Sequence, residues 1–103
     1  MSPSPPSQRV VAGTMTGTSI DALDVAIARI EDRGLEMHAT LLAHLARPLG
    51  DLVTPLRDAA EQRPVTTRQL AELAVEFGRE HAAVIEEARR LAGVESLDLI
   101  AVH

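Results

Sequence analysis

Val10-Val11-Ala12-Gly13-Thr14-Met15-Thr16-Gly17-Thr18-Ser19-Ile20-Asp21-Ala22-Leu23-Asp24-Val25-Ala26 sets two apolar segments around a turn rich in small and hydroxyl residues, and closes that turn with two aspartates. Such an order suits a hairpin that grips phosphate. From Gly13 to Ser19 the run holds two glycines, three threonines and one serine, so the backbone can approach an anion closely and offer N–H and O–H donors at short range. Asp21 and Asp24 then stand where a carboxylate can hold a metal ion or order water beside the phosphates. This is not a Walker loop, because no lysine follows Gly17 and the GxxxxGK[ST] spacing is missing. Residue types alone leave other readings open. Gly17, Thr18 and Ser19 also suit an ordinary hairpin tip, Asp21 an Asx-turn, and Asp24 a surface carboxylate at a strand edge.

Working outward, the first strand is expected from Arg9 to Gly13 or Thr14, and the second from Leu23 to Glu31. The second carries Val25 and Ile27 on one side and Ala26, Ala28 and Ile30 on the other, the pattern of a strand in a covered sheet. Asp32-Arg33-Gly34 reads as a tight turn with glycine at the left-handed position. A third strand follows. Its alternation places Leu35, Met37, Ala39, Leu41, Ala43 and Leu45 on one face and Glu36, His38, Thr40 and His44 mostly on the other. The three strands predict an antiparallel meander, ended by Pro48 and Gly50.

Asp51 can cap a short helix that reaches Ala60, with Pro55 tolerated near the first turn, and Gln62-Arg63-Pro64 breaks the chain. Thr66 and Gln69 then form a capping box. Behind it Leu70, Leu73, Ala74, Phe77, His81, Val84, Ile85, Ala88, Leu91 and Ala92 recur at helical spacing, so one stripe of a long helix should face a sheet. Gly93 suits the position just past the helix end. The opposite face, rich in Glu and Arg, reads as a solvated surface. Leu97 to Val102 is expected to be a buried strand by its unbroken Leu-Ile-Ala-Val run, able to join the sheet in parallel.

At 103 residues the chain suits one domain, and 46% apolar with 24% charged residues is an ordinary globular composition. Phe77 is the only aromatic residue, so the core must be aliphatic. A net charge of −5 with scattered arginines argues against nucleic acid as a partner. The absence of cysteine excludes disulfides, thiolate metal sites and a catalytic thiol. Residues 1–8, rich in Pro and Ser, read as a disordered tail without the apolar segment of a signal peptide. No apolar run is long enough to span a bilayer, so no membrane partner is expected. His38 and His44 would stand about 20 Å apart at strand rise, too far to share a metal. His81 reads as a packed or rim histidine.

The run Gly13-Thr14-Met15-Thr16-Gly17-Thr18-Ser19-Ile20-Asp21-Ala22-Leu23-Asp24 closely resembles the G-x-M-S-G-T-S-x-D-G-x-D opening of the anhydro-N-acetylmuramic acid kinases. Asp98-Leu99-Ile100-Ala101-Val102-His103 resembles the apolar strand that runs, in that family, into His-Gly-Gln-Thr. The resemblance covers residue 9 onward, and only the N-terminal portion of the much longer family members. Thr16 replaces the usual Ser and keeps the hydroxyl. Ala22 replaces the usual Gly, which bears on the loop's last turn because alanine holds positive φ less readily.

The resemblance implies an α/β fold, the ribonuclease-H-like half of an actin-like ATPase (sugar kinase) fold, ordered β-β-β-α-α-β and truncated. Residues 9–103 would form the first part of the first ATPase-like domain, incomplete at the C-terminus. It further implies a cytoplasmic, ATP- and Mg²⁺-dependent kinase. That enzyme would cleave the 1,6-anhydro bond of anhydro-N-acetylmuramic acid and phosphorylate the sugar to N-acetylmuramic acid 6-phosphate during cell-wall recycling. Gly17, Thr18, Ser19, Ile20, Asp21, Ala22, Leu23 and Asp24 would bind the nucleotide, with Asp21 toward the metal and His103 near the sugar. The family's catalytic base lies downstream, so this chain holds no catalytic residue of its own and is expected to be inactive alone. Partners would be ATP and the sugar, with a homodimer as an option for the complete enzyme. Two other classes stay open: a noncatalytic α/β interaction module, and another actin-like-fold sugar kinase.

Overall fold

Three strands in a row, each long enough to pair along its whole length, organise the first half of the chain. In the computed structural model, which describes residues 7–33 and 35–103, these are β1 (Ser7–Thr16), β2 (Ala22–Arg33) and β3 (Glu36–Pro48). A single 3-10 turn, Gly50–Leu52, leads into α1 (Val53–Ala60), followed by α2 (Thr67–Ala92) and β4 (Leu99–Val102). The sheet order is β3-β2-β1-β4. β2 runs antiparallel to both neighbours and β4 runs parallel to β1, so the meander and the parallel fourth strand follow the expectation from sequence. Residues 1–6 of the expected tail, and Gly34 of the expected turn, lie outside the described residues. Ser7 and Gln8 belong to β1, paired with Asp32 and Glu31.

The sheet's core face is made by alternate residues of β1 and β2. Ala12, Leu23, Val25 and Ile27 are sealed there against Val84, Ile85 and Ala88 of α2, with Leu49 closing one end. Each large aliphatic side chain sealed in this way contributes about 1.5–3 kcal/mol. The capping box forms as the spacing predicts: Gln69 N–H donates to Thr66 Oγ1 at 3.1 Å, and Thr66 N–H to Gln69 Oε1 at 2.8 Å. Gly93 ends the helix at φ 71°, a left-handed conformation that suits glycine.

Four expectations are corrected. The alternation of β3 is broken by a bulge: Ile27 pairs with Ala43 but Ala28 pairs with Leu41, leaving Leu42 as the extra residue. Ala43 and Leu45 therefore join the helix-covered face, with Leu42 packed against the same core. Met37 and Leu41 turn to the opposite side and stay exposed. By register His44 shares that open side with Ala26, whereas His38 lies opposite Glu31 on the other. Asp51 does not cap: Leu49 and Leu52 take the N-cap positions of the 3-10 turn and of α1, without a side-chain hydrogen bond. β4 is not buried, because it lies at the sheet edge with exposed residues throughout. Finally, the apolar stripe of α2 is sealed only around Val84 to Ala88, and Leu70 and Leu91 remain exposed.

The radius of gyration is 17.2 Å with extents of 62 × 24 × 22 Å, against about 13 Å for a compact body of this size. One long helix cannot cover so long a hairpin.

Candidate functional site

β1 and β4 run in parallel and end side by side, and the loop Gly17–Asp21 leaves β1 at that end. The open ends of parallel strands are where α/β sheets commonly receive ligands. Within the loop, Ile20 N–H donates to Gly17 O at 3.0 Å, closing a tight turn. Leu49 N–H donates to Asp21 O at 2.9 Å. From α1, Arg57 donates through Nε and Nη2 to the carbonyl of Ser19, at 2.9 and 2.7 Å. A bond within the loop, one from Leu49 and two from Arg57 of α1 thus pin five residues.

Pinning matters because Ile20 stands at φ 53°. A β-branched residue holds a left-handed conformation only where its surroundings over-determine it, at a cost of about 1–3 kcal/mol. Part of the restraint is apolar, since the Ile20 side chain packs on the core cluster. The left-handed position of the loop is therefore Ile20. Ala22 instead begins β2, paired with Pro48, so its departure from glycine leaves the turn intact.

With the loop held this way, the N–H groups of Thr18 and Ser19 have no backbone partner among the described residues. Both residues are exposed. Ser19 Oγ donates to Asp21 Oδ1 at 2.8 Å, fixing that carboxylate beside the loop. Gly17 is not strained, and a Cβ built on it would meet only Ser19 Oγ at 3.9 Å. Inside the fold, nothing demands glycine at this position. The hydroxyls Thr14 Oγ1 and Thr16 Oγ1, just before the loop, are buried without a hydrogen-bond partner, a costly state for a polar atom.

The remaining expected residues are placed differently. Leu23 is sealed in the core at 0% exposure, so its side chain cannot reach a ligand. Asp24 is separated from Asp21 by entry into β2. It lies on the open side of the sheet, where His44 Nε2 sits 3.2 Å from its Oδ1. His103 N–H donates to Thr14 O at 3.0 Å, which brings the end of β4 to the same concavity, lined by Gly13, Met15, Asp24, His44 and His103. His44 and Arg57 are the two chemistry-bearing neighbours that sequence reasoning did not assign. A cross-strand partner becomes legible only with the register in hand.

Among the described residues no three of His, Cys, Asp and Glu cluster to hold a metal. A lone exposed carboxylate beside free N–H donors does fit Mg²⁺, which keeps its waters and binds through one or two carboxylates plus substrate phosphates. Asp21 would supply that carboxylate. Among the described residues, no helix is long and apolar enough to cross a membrane.

Residues 9–103 match the anhydro-N-acetylmuramic acid kinase family profile. An anhydro-N-acetylmuramic acid kinase of Bacillus cereus (strain AH820) is 31% identical over 96 residues, which cover 90% of this chain and 25% of that protein. The protein of the same name from Bacillus thuringiensis (strain Al Hakam) matches at 31% over the same span. The chain spans about a quarter of the length of these curated relatives. With nearly all of its residues inside the family profile, the chain belongs to the anhydro-N-acetylmuramic acid kinase family.

Proposed function

We propose that this chain supplies the phosphate-gripping hairpin of an ATP-dependent sugar kinase acting on anhydro-N-acetylmuramic acid in the cytoplasm. The sheet would be the start of the ribonuclease-H-like half of an actin-like ATPase fold. In the reaction, water adds across the 1,6-anhydro C–O bond, which breaks, and the sugar's O6 takes the terminal phosphoryl group of ATP, releasing ADP. Phosphoryl transfer of this kind asks the protein for positioning and charge rather than covalent chemistry. Thr18 and Ser19 N–H donate to phosphate oxygens, and the Ser19 hydroxyl orients Asp21. Asp21 would hold Mg²⁺, which neutralises charge on the phosphates. Ala22 and Leu23 contribute through backbone alone, whereas Asp24 and His103 face the side where the sugar would enter. The base that takes the O6 proton is not among these residues.

One observation carries the reading: a loop whose outer N–H groups are left open while its inner carbonyls are tied to α1, to β3's end and to itself. The test is ATP-dependent phosphorylation of anhydro-N-acetylmuramic acid by the complete protein, with Gly17→Val beside it. Because Gly17 has room for a Cβ and no left-handed φ, the variant should fold normally and lose ATP affinity or turnover. Unchanged kinetics in a folded Gly17→Val would remove the loop from the site. Absence of ATP turnover in the complete wild-type protein would favour a noncatalytic module.

A further inference from the structure

We propose that Arg57 is a positioning residue for the phosphate loop, holding the Ser19–Ile20 peptide in the orientation that leaves the Thr18 and Ser19 N–H groups open to an anion. The inference rests on the loop's reading as a nucleotide site, and concerns a residue outside the loop motif.

Four other arginines of this chain are spent on carboxylates. Arg47 pairs with Glu87, Arg63 with Asp58 and Glu61, and Arg89 and Arg90 with Glu86. Arg57 is different. Asp58 and Glu61 lie within one helical turn of it, yet among the described residues it makes no ion pair. Instead it directs both Nε and Nη2 at one backbone carbonyl, that of Ser19. A carbonyl is a weaker partner than a carboxylate, so this choice reflects where α1 holds the guanidinium: Leu56 packs against the core and Arg57, next in sequence, lies over the loop.

The carbonyl in question belongs to the peptide whose rotation sets ψ of Ser19 and φ of Ile20. Ile20 sits at φ 53°, which a β-branched residue leaves readily once released. Turning that peptide over would swing the Ser19 oxygen, the negative end of its dipole, from the guanidinium to the other side of the loop. It would also break the bond from Ile20 N–H to Gly17 O. The guanidinium therefore does two things at once. It fixes the carbonyl on the α1 side, and it places a permanent positive charge one residue from the N–H groups that would meet phosphate. A lysine keeps the charge but loses the planar fork.

The experiment uses the complete protein and compares Arg57→Ala, Arg57→Lys and Gly17→Val by steady-state kinetics and thermal unfolding. Losing a charge-assisted pair of hydrogen bonds should raise the KM for ATP about tenfold or more in Arg57→Ala. The KM for sugar should stay within about twofold, since uniform damage would move both. Arg57→Lys should recover part of the loss. If Gly17→Val raises the KM for ATP and Arg57→Ala does not, the role given to Arg57 is wrong while the loop stays in the site. Should neither variant move it, the loop is not a nucleotide site and both readings fall. A parallel rise in both KM values with a collapsed melting temperature, unrelieved in Arg57→Lys, would make Arg57 merely structural and overturn the proposal.

Discussion

The two faces of the sheet carry similar apolar alternation and opposite fates. On the side of α2, Leu23, Val25 and Ile27 are at 0% exposure, whereas on the other side Met37 and Leu41 are 74% and 65% exposed. By register the open side also carries apolar residues, among them Ala26, Ala28, Ile30, Ala39 and Leu41, so apolar content alone does not explain the difference. A packed layer does. α2 lays Val84, Ile85 and Ala88 on one face, and no described element lies on the other. The uncovered face also carries the Asp24–His44 pair and His103 around one concavity, while the Gly17–Asp21 loop lies at the strand ends, tied to α1. Stability is thus concentrated on one side of the sheet and candidate chemistry on the other side and its edge.

The largest effect that tests this division is a stability difference between the faces. Leu23→Ala empties a sealed site and should cost about 2–5 kcal/mol of unfolding free energy. Met37→Ala, on the open side, should stay within about 0.5 kcal/mol. Urea unfolding of the two variants checks both. Equal costs would mean that the open face is packed in solution, and the contrast between faces would disappear.

Next in size is an effect on rate that leaves stability alone. Asp21 is exposed and contributes nothing to the core, and Asp21→Asn keeps an oxygen for the Ser19 hydroxyl while removing the charge. In the complete protein, loss of a preorganised charge from the proposed phosphoryl-transfer site should lower kcat by about 10²-fold, roughly 2.7 kcal/mol in the barrier. The melting temperature should hold. Near wild-type turnover at saturating Mg²⁺ would show that Asp21 does not act on the phosphates.

Local chemistry made much of this legible from sequence, and non-local packing hid the rest. Thr66 with Gln69 and the glycine at 93 announce the two ends of α2 because each acts within one turn of chain. The Gly13–Asp24 run placed the loop for the same reason. The bulge could not be read. Leu41 and Leu42 are identical neighbours in an apolar run, and the register with β2 alone decides which is extra. β4 was expected to be buried from its Leu-Ile-Ala-Val run, yet burial depends on a layer that the run does not encode. Arg57 gave no signal either, since an arginine with carboxylates one and four residues away looks like an ordinary helix-surface pair. Its real partner is Ser19 O, brought beside it only when α1 packs.

The smallest expected effect lies where the two faces meet, at the link from α2 to β4. Arg89 donates to Glu86 Oε1 and Oε2 at 2.5 and 2.9 Å, and to the carbonyls of Val94 and Glu95 at 2.6 and 3.2 Å. This ties the sealed helix to the segment leading into the exposed strand. The hydrogen bond from Arg89, aided by the charges of Arg89 and Arg90, holds the Glu86 carboxyl down at about 2 from an ordinary 4.5. A depressed carboxyl stabilises the fold when it is charged in both states. Its contribution is therefore complete above about 4.5 and fades as pH falls toward 2. Because the Glu86 side chain is 46% exposed, solvent and salt screen the pair and the effect should be slight. Glu86→Gln should flatten the stability profile across that acid range, slightly lowering stability at neutral pH and leaving it unchanged near pH 2. Hydrogen exchange should show the loss first in amides from Val94 to Val102, ahead of the core around Val84. Uniform loss of protection across α2 and β4 would mean that the exposed strand is held by the same packing as the sealed face, and the division between the two faces would not extend to the edge of the sheet.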